Sequence, residues 1–271
     1  MNMIQQPAAM PAVAKRAGRT LAEVAAEIER RVADAPVRSE PFPHLLIDDL
    51  LPGVVRDALD RHWPGRDRFR DSNLASRGEL RISSLADSGE DRDRRFWSAM
   101  RALASRTSRA TRIRLAHHVD GKFRPLLGPD WRQAMGDVDY DENDGMLAHY
   151  SGVVDLPAHV DNARLVVNGF VYLDDRNGTP PEPLRGTMLY RSIGFAWPTN
   201  RDIPQALRDL YLREAGEVEW RDNRLLAYIN GPTSFHGVPR HHLGGRARRL
   251  LMFGSLLARS TAARVYDPAI R

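Results

Sequence analysis

Two side chains able to share a metal ion stand together in Leu156-Pro157-Ala158-His159-Val160-Asp161-Asn162. If this stretch is a β-strand, His159 and Asp161 point to the same face, because side chains alternate along a strand. An imidazole beside a carboxylate supplies two corners of a metal site. A third ligand must come from elsewhere, and the best candidate is His236 in Thr233-Ser234-Phe235-His236-Gly237-Val238. Two histidines and one carboxylate on one face of an iron leave the opposite positions open to reacting ligands. In a chain with nine histidines a single His-x-Asp is also an ordinary surface pair, so the sharper reading depends on what surrounds it.

The composition narrows the metal chemistry. There is no cysteine, which removes disulfides, thiolate zinc sites and cysteine nucleophiles together. A chain of 271 residues with 42% hydrophobic and 28% charged residues has the make-up of a globular protein, and one domain with a helical N-terminal part is expected. No run of 18 apolar residues occurs and the N-terminus lacks the order of a signal peptide, so no membrane partner is expected and the cytoplasm is the default location. The formal charge of +5 comes from 40 basic residues interspersed with 35 acidic ones, and only Lys15 and Lys122 are lysines. That mixture argues against a nucleic-acid-binding stripe.

The elements that must position these residues follow from local pattern. Residues 1–19, rich in Ala, Pro and Gln, read as a disordered tail, and residues 20–271 as a single domain. Thr20 reads as an N-cap with Glu23 completing a capping box, and Leu21, Val24, Ala25 and Ile28 recur at helical spacing. After Pro36, Pro41 and Pro43, His44 to Leu51 reads as a strand and Gly53 to Trp63 as a helix. Residues 64–90 read as a loop with a short strand near Leu80 to Ile82. Helices are expected over Arg92–Ala104 and Ala110–Phe123, which closes a helical part over residues 20–140. From residue 146 to 258 the texture becomes short β-prone runs: Met146–Tyr150, Arg164–Leu173, Thr187–Tyr190, Arg224–Ile229 and Arg248–Leu256, with further strands around His159 and His236. Seven or so strands in this space imply a jelly roll, so the expected class is α+β with a mainly β core, N-terminal helices packing on it. Residues 193–217, with Pro198, Pro204 and a helical stretch Gln205–Glu214, read as a lid-like insertion expected to fold over the iron mouth.

Taken in order, these stretches resemble the Fe(II)/2-oxoglutarate-dependent dioxygenases, in particular the prolyl-4-hydroxylase-like branch with its double-stranded β-helix. The resemblance runs from about Met146 to Phe253, with a weaker match of PFPHLLIDDLLP to the family's opening strand and helix. Tyr150 precedes His-x-Asp by about ten residues. Val171-Tyr172-Leu173-Asp174 matches a Tyr-Leu-Asn strand end, Arg185-Gly186-Thr187-Met188-Leu189 imperfectly matches Gly-Gly-x-Leu, and Asp222-Asn223-Arg224-Leu225 matches the strand that leads to the distal His-Gly-Val. A basic residue about ten positions further on is Arg246.

The resemblance implies that His159, Asp161 and His236 hold Fe(II), with bidentate 2-oxoglutarate and O2 opposite. The distal carboxylate of 2-oxoglutarate requires a guanidinium in a partly desolvated pocket. Arg246 is favoured, Arg248 is its rival on the same strand face, and Arg249 should point away. Tyr172 would donate to the same carboxylate and Tyr150 would line the pocket. The implied reaction is hydroxylation of an unactivated C–H bond with release of succinate and CO2, and Asp161 favours it over halogenation, since halogenases of this superfamily carry a small residue there. Desaturation or cyclisation would use the same site. Asn162 is expected to orient the Asp161 carboxylate, His149 is a residue that could face the pocket, and His117 and His118 are read as surface residues. His241 and His242 are set aside as distal ligands because Pro239 to Gly245 reads as a turn.

The substrate expected is a small molecule, an amino acid or natural product, and Asp155, Asp174 and Asp175 are placed where they could receive a cationic group. The alternatives are a prolyl or other residue hydroxylase acting on protein, a cupin-type metal dioxygenase that does not use 2-oxoglutarate, and a non-catalytic binding module. The imperfect Arg185-Gly186 and the crowd of basic residues after His236 are where the pattern departs from the branch.

Overall fold

A computed structural model describes residues 18–72, 76–87, 91–174 and 185–266. Residues 1–17 of the expected tail, and Asp175, lie outside the described residues. Helix α1 (Leu21–Asp34) begins as the sequence requires: the Thr20 hydroxyl accepts from the Glu23 amide while the Glu23 carboxylate accepts from the Thr20 amide, which satisfies two donors that a helix start leaves open. Strand β1 (His44–Ile47), helix α2 (Gly53–Arg61), strands β2 (Arg70–Asp71) and β3 (Arg77–Arg81) and helix α3 (Ile82–Asp87) follow.

The first helix expected next and the start of the second are a single 25-residue helix, α4 (Asp91–Leu115), while the rest of the second is a 3-10 turn (Ala116–His118) and the opening of a separate helix. The polar stretch between them does not break it, because the Thr107 and Thr111 hydroxyls bond the carbonyls of Leu103 and Thr107 one turn back and so remain compatible with the helix. Its buried side chains, among them Phe96, Met100, Leu103, Thr107 and Thr111, recur every three or four residues and pack on the large sheet. Two short helices, α5 (Asp120–Leu127) and α6 (Trp131–Met135), complete the N-terminal part.

The core is built from β4 (Tyr140–Glu142), β5 (Met146–Tyr150), β6 (Val153–His159), β7 (Leu165–Leu173), β8 (Thr187–Ser192), β9 (Leu212–Val218), β10 (Leu225–Ile229), β11 (His236–His242) and β12 (Arg248–Leu257). The large sheet has the order β1-β10-β7-β12-β5-β3-β2, with β4 on β12, and the small sheet the order β6-β11-β8-β9. All pairings are antiparallel. From β5 onward the chain visits large, small, large, small, small, large, small, large. That alternation is the double-stranded β-helix.

Period two sorts the residues of the large sheet. Phe170, Tyr172, Leu226, Tyr228 and Leu250 turn inward to one cluster between the sheets, while Val171, Leu173, Leu225, Ala227 and Leu251 turn outward under the helices. Burial on both faces explains why these strands read as continuous apolar runs.

The stretch 193–217 is organised differently from the expected insertion. Only Gln205–Tyr211 is helical (α7), and the last quarter of the stretch, from Leu212, belongs to β9, which pairs with β8 and supplies the fourth strand of the small sheet. Phe195, Trp197, Ile203 and Leu212 pack against Ala158, Val160 and Phe235, residues that alternate with His159 and His236 and so face away from them. The segment covers the outside of the small sheet. Among the described residues, none of 193–217 lines the cavity that holds His159 and His236, while Gln205, Arg208 and Leu212 line a neighbouring one together with Leu156 and Val238.

Candidate active site

Strands β6 and β11 place His159 directly opposite His236, with ring centroids 4.4 Å apart. A shift in register follows at once between His236 and Val238. Gly237 permits it, because a Cβ there would meet Leu156 O at 2.6 Å; this is the physical reason for glycine after the distal histidine. Each imidazole Nδ1 lies against the carbonyl two residues back, Pro157 O at 2.9 Å and Ser234 O at 3.0 Å. Donation to those carbonyls fixes the tautomer in which Nε2 keeps its lone pair, as in metal-bound histidines. Burial, with His236 adding to it, holds the His159 imidazole down to about 4, so it is neutral near pH 7.

Asp161 follows the end of β6 and completes the triad. Its Oδ1 is 3.8 Å from His159 Nε2 and its Oδ2 is 3.5 Å from His236 Nε2, and one ligand atom from each residue lies within 4.8 Å of the others. Bonds of about 2.1 Å to one ion set adjacent ligand atoms about 3 Å apart, so the donor set fits a metal once its atoms draw together by less than about 2 Å. Burial opposes ionisation of Asp161, but the two histidines and hydrogen bonds from Tyr228 and Asn168 outweigh it and hold the carboxyl below its usual range.

The contact expected from Asn162 is made by others. Asn162 Oδ1 accepts from the Arg164 amide, whereas the Asp161 carboxylate accepts from Tyr228 Oη at 2.7 Å and Asn168 Nδ2 at 2.8 Å. Tyr228 Oη is also 2.8 Å from His236 Nε2. Behind them the Asp161 amide donates to Asn230 Oδ1 at 3.1 Å. The buried Lys122 ammonium donates to the carbonyls of Ala163, Leu165 and Asn230 at 2.8, 2.9 and 2.9 Å. Lys122 and Asn230 thus tie the segment carrying Asp161 to the end of β10. Asn168 had a signal in the sequence, a polar residue inside the apolar run Leu165–Leu173; Tyr228 and Lys122 carried none.

The structure separates the two candidate arginines. Arg248 is 1% exposed and lines the cavity with the triad, Tyr150, Asn168, Phe170 and Thr187. Its guanidinium carbon lies 4.3 Å from the Trp220 ring centroid and 5.8 Å from those of Tyr150 and Tyr172. Arg246 instead pairs with Asp174 at 2.7 Å and is not among the lining residues. Both arginines keep buried N–H groups with no partner, but only those of Arg248 belong to the cavity wall. Arg248, not Arg246, is thus the arginine that shares the cavity with the triad, for a geometric reason. Strand β11 runs on to His242, so His241 and His242 are strand residues, and Gly244 and Gly245 turn the chain at φ 59° and 82°. Arg246 falls in that turn, and the first inward position of β12 is Arg248.

Tyr172 is fully buried and donates to Thr187 Oγ1 at 2.7 Å. Burial, only partly opposed by Arg248, pushes its hydroxyl up to about 12, so it stays a donor. The remaining side chains lie elsewhere. His149 packs at a tilt against Phe69 on the outer face, ring centroids 5.4 Å apart, and Asp155 is 3.5 Å from Arg240 on the surface. Among the described residues no helix is long and apolar enough to cross a membrane.

No family model matches the sequence, and no curated protein matches it. Among solved structures, the chain is similar to a Pseudomonas putida prolyl-4-hydroxylase, at 15% identity over 88% of this chain and 98% of that one, TM-score 0.45. A Trichoplax adhaerens prolyl hydroxylase in complex with a hypoxia inducible factor peptide is 12% identical over 91% and 94% of the two chains, TM-score 0.46. HygX from Streptomyces hygroscopicus, with nickel and 2-oxoglutarate bound, is 15% identical over 79% and 82%, TM-score 0.43.

Proposed function

We propose that this chain is an Fe(II)- and 2-oxoglutarate-dependent oxygenase that hydroxylates an unactivated C–H bond of a small molecule, consuming O2 and releasing succinate and CO2. The observation that carries the reading is the presence in one cavity of the His159, Asp161 and His236 donor set and of Arg248, a buried guanidinium whose Nε and Nη1 have no partner. A buried, half-satisfied cation is unfavourable unless an anion completes it. A cupin-type enzyme without 2-oxoglutarate has no use for such a group.

His159, Asp161 and His236 would hold the metal, and iron bound there with its cosubstrate would supply the oxidising power. Arg248 receives the distal carboxylate, since a guanidinium matches a carboxylate in two parallel hydrogen bonds. The Trp220 ring holds that guanidinium flat, and the Tyr172 to Thr187 hydrogen bond fixes the hydroxyls beside it. Tyr228 and Asn168 keep Asp161 turned to the metal, and the Pro157 and Ser234 carbonyls keep both Nε2 atoms aimed inward. Phe170, Leu250 and Met252 line the rest of the cavity and limit water.

The test is reconstitution under anaerobic conditions with Fe(II) and 2-oxoglutarate, followed by oxygen and measurement of succinate. Succinate formed only when 2-oxoglutarate is present, and stimulated by members of a metabolite library more than by proline-containing peptides, is the expected result. No succinate under any condition would sink the oxygenase assignment, and stimulation by peptides alone would move the substrate to protein.

A further inference from the structure

A second arginine lines the same cavity. Arg77 stands on β3 in register with Tyr150 on β5, which is in turn in register with Arg248 on β12. All three turn inward, and the two guanidinium carbons lie 5.7 and 5.8 Å from the centroid of the one Tyr150 ring. Arg77 is 9% exposed, and its Nε is buried without a partner.

The two cations serve different ends of the cavity. Arg248 lies among Tyr172, Thr187 and Trp220. The Arg77 side chain runs along the strands the other way, so that Nη2 is 3.3 Å from Met252 Sδ, and Met252 is in register with Phe170, two residues from Asn168, which bonds the metal carboxylate. Arg77 is thus the cation on the metal side and Arg248 the cation at the far end.

Counting the charges that face the cavity when it is loaded shows what is left over. The metal, Asp161, Arg248 and the dianionic cosubstrate cancel, and Arg77 remains. Glu79 meets Arg77 Nη2 at 2.9 Å but keeps 34% of its side chain in water and does not line the cavity. A carboxylate so exposed is screened by solvent, and orients the guanidinium more than it neutralises it. The Nε side has no such partner.

We propose that Arg77 is the recognition residue for a carboxylate on the substrate, so that the substrate is a small organic acid, with an amino acid among the candidates, bound by a charge-assisted pair beside the metal. The proposal rests on the oxygenase reading of this site. A carboxylate anchored there fixes which carbon faces the metal, since orientation of the bound molecule selects the bond that reacts.

The test uses calorimetric titration of the full chain, loaded anaerobically with Fe(II) and 2-oxoglutarate. The probes are small carboxylic acids, benzoate and L-proline, each with its matched primary amide, benzamide and prolinamide. The expected result is saturable binding of at least one acid, at least tenfold tighter than its amide. In Arg77→Gln that preference should fall to within twofold, while the affinity for 2-oxoglutarate changes by less than twofold; Arg77→Lys should keep part of it. No saturable binding by either acid, equal binding of acids and amides, or an acid preference that survives in Arg77→Gln overturns the proposal. So does a loss of 2-oxoglutarate binding in that variant, which would place Arg77 on the cosubstrate instead. Failure of the wild-type chain to bind 2-oxoglutarate with metal overturns the oxygenase reading itself and is seen before any acid is added.

Discussion

Tyr228 Oη donates its hydrogen bond to Asp161 Oδ2 at 2.7 Å and itself lies 2.8 Å from His236 Nε2. The single proton of this phenol goes to Asp161, so a residue on β10 fixes the metal carboxylate while its oxygen lies beside the distal histidine. Its ring is fully buried, so Tyr228→Phe removes the hydroxyl with little loss of packing. Loss of a partner of this kind typically costs 10- to 100-fold in metal affinity. Calorimetric titration with Mn(II) should show a weakening of about that size with an unchanged far-ultraviolet spectrum, and unaltered affinity would remove Tyr228 from the site.

The ligands themselves should behave more severely. Replacing His236 with Ala removes one donor and leaves His159 and Asp161 a two-point site, and His159→Ala does the same from the other strand. Each variant should show no saturable Mn(II) binding at concentrations that saturate the wild type. His241→Ala should bind metal normally, because the His241 Nδ1 lies against Pro239 O and its residue is five positions along β11 from the ligand. Metal binding that depended on His241 would reverse the choice of distal ligand.

Much of this site was legible in the sequence, for identifiable reasons. The proximal pair is readable because a strand puts residues two apart on one face, and the capping box at Thr20 because its chemistry is local. Arg248 was harder. Counting from His236 assumes a fixed hairpin length, and here β11 continues to His242 before two glycines with positive φ make the turn, which moves the inward position from 246 to 248. Strand β9 was hidden because Glu214 to Glu217 carries exposed polar residues on an outer strand of the small sheet and reads as helix or loop. Arg77 and Lys122 could not have been read at all. Their partners lie far away in sequence, and a lone arginine in Arg77-Gly78-Glu79 looks like any charged edge strand.

The exchange of Arg246 for Arg248 leads to a pair of variants with opposite expectations. Arg248→Met should weaken 2-oxoglutarate binding by about 2–5 kcal/mol, the usual cost of truncating one member of a buried hydrogen-bonded charge pair. Arg246→Ala breaks a bond to Asp174 outside the cavity and should leave that affinity within about threefold. The ligand-free proteins should differ in the other direction. Because the Arg248 guanidinium is buried with unsatisfied N–H groups, Arg248→Met should melt no lower than the wild type without 2-oxoglutarate, and should lose the stabilisation that 2-oxoglutarate gives the wild type. Equal 2-oxoglutarate affinities in the two variants would undo the assignment.

Lys122 connects the stability of the fold to the placement of Asp161. Burial holds its ammonium down to about 7 from an ordinary value of 10.5. Between those two values the unfolded chain keeps a proton that the folded chain has released, so this residue makes the folded state more stable as pH rises from 7 to 10.5, at up to about 1.4 kcal/mol per pH unit. Below pH 7 both states are protonated and the slope ends. Lys122→Met removes the titrating group. The difference in urea midpoint between wild type and variant, followed from pH 7 to 9.5 so that all other groups cancel, should therefore shift steadily in favour of the wild type. The same variant removes the ammonium donor from the carbonyls of Ala163, Leu165 and Asn230, of which Leu165 keeps only Asn230 Nδ2, and so loosens the segment that begins at Asp161. Its Mn(II) affinity should drop severalfold at pH 7 even where the chain is fully folded. A flat pH difference together with wild-type metal affinity would reduce Lys122 to an ordinary packing residue.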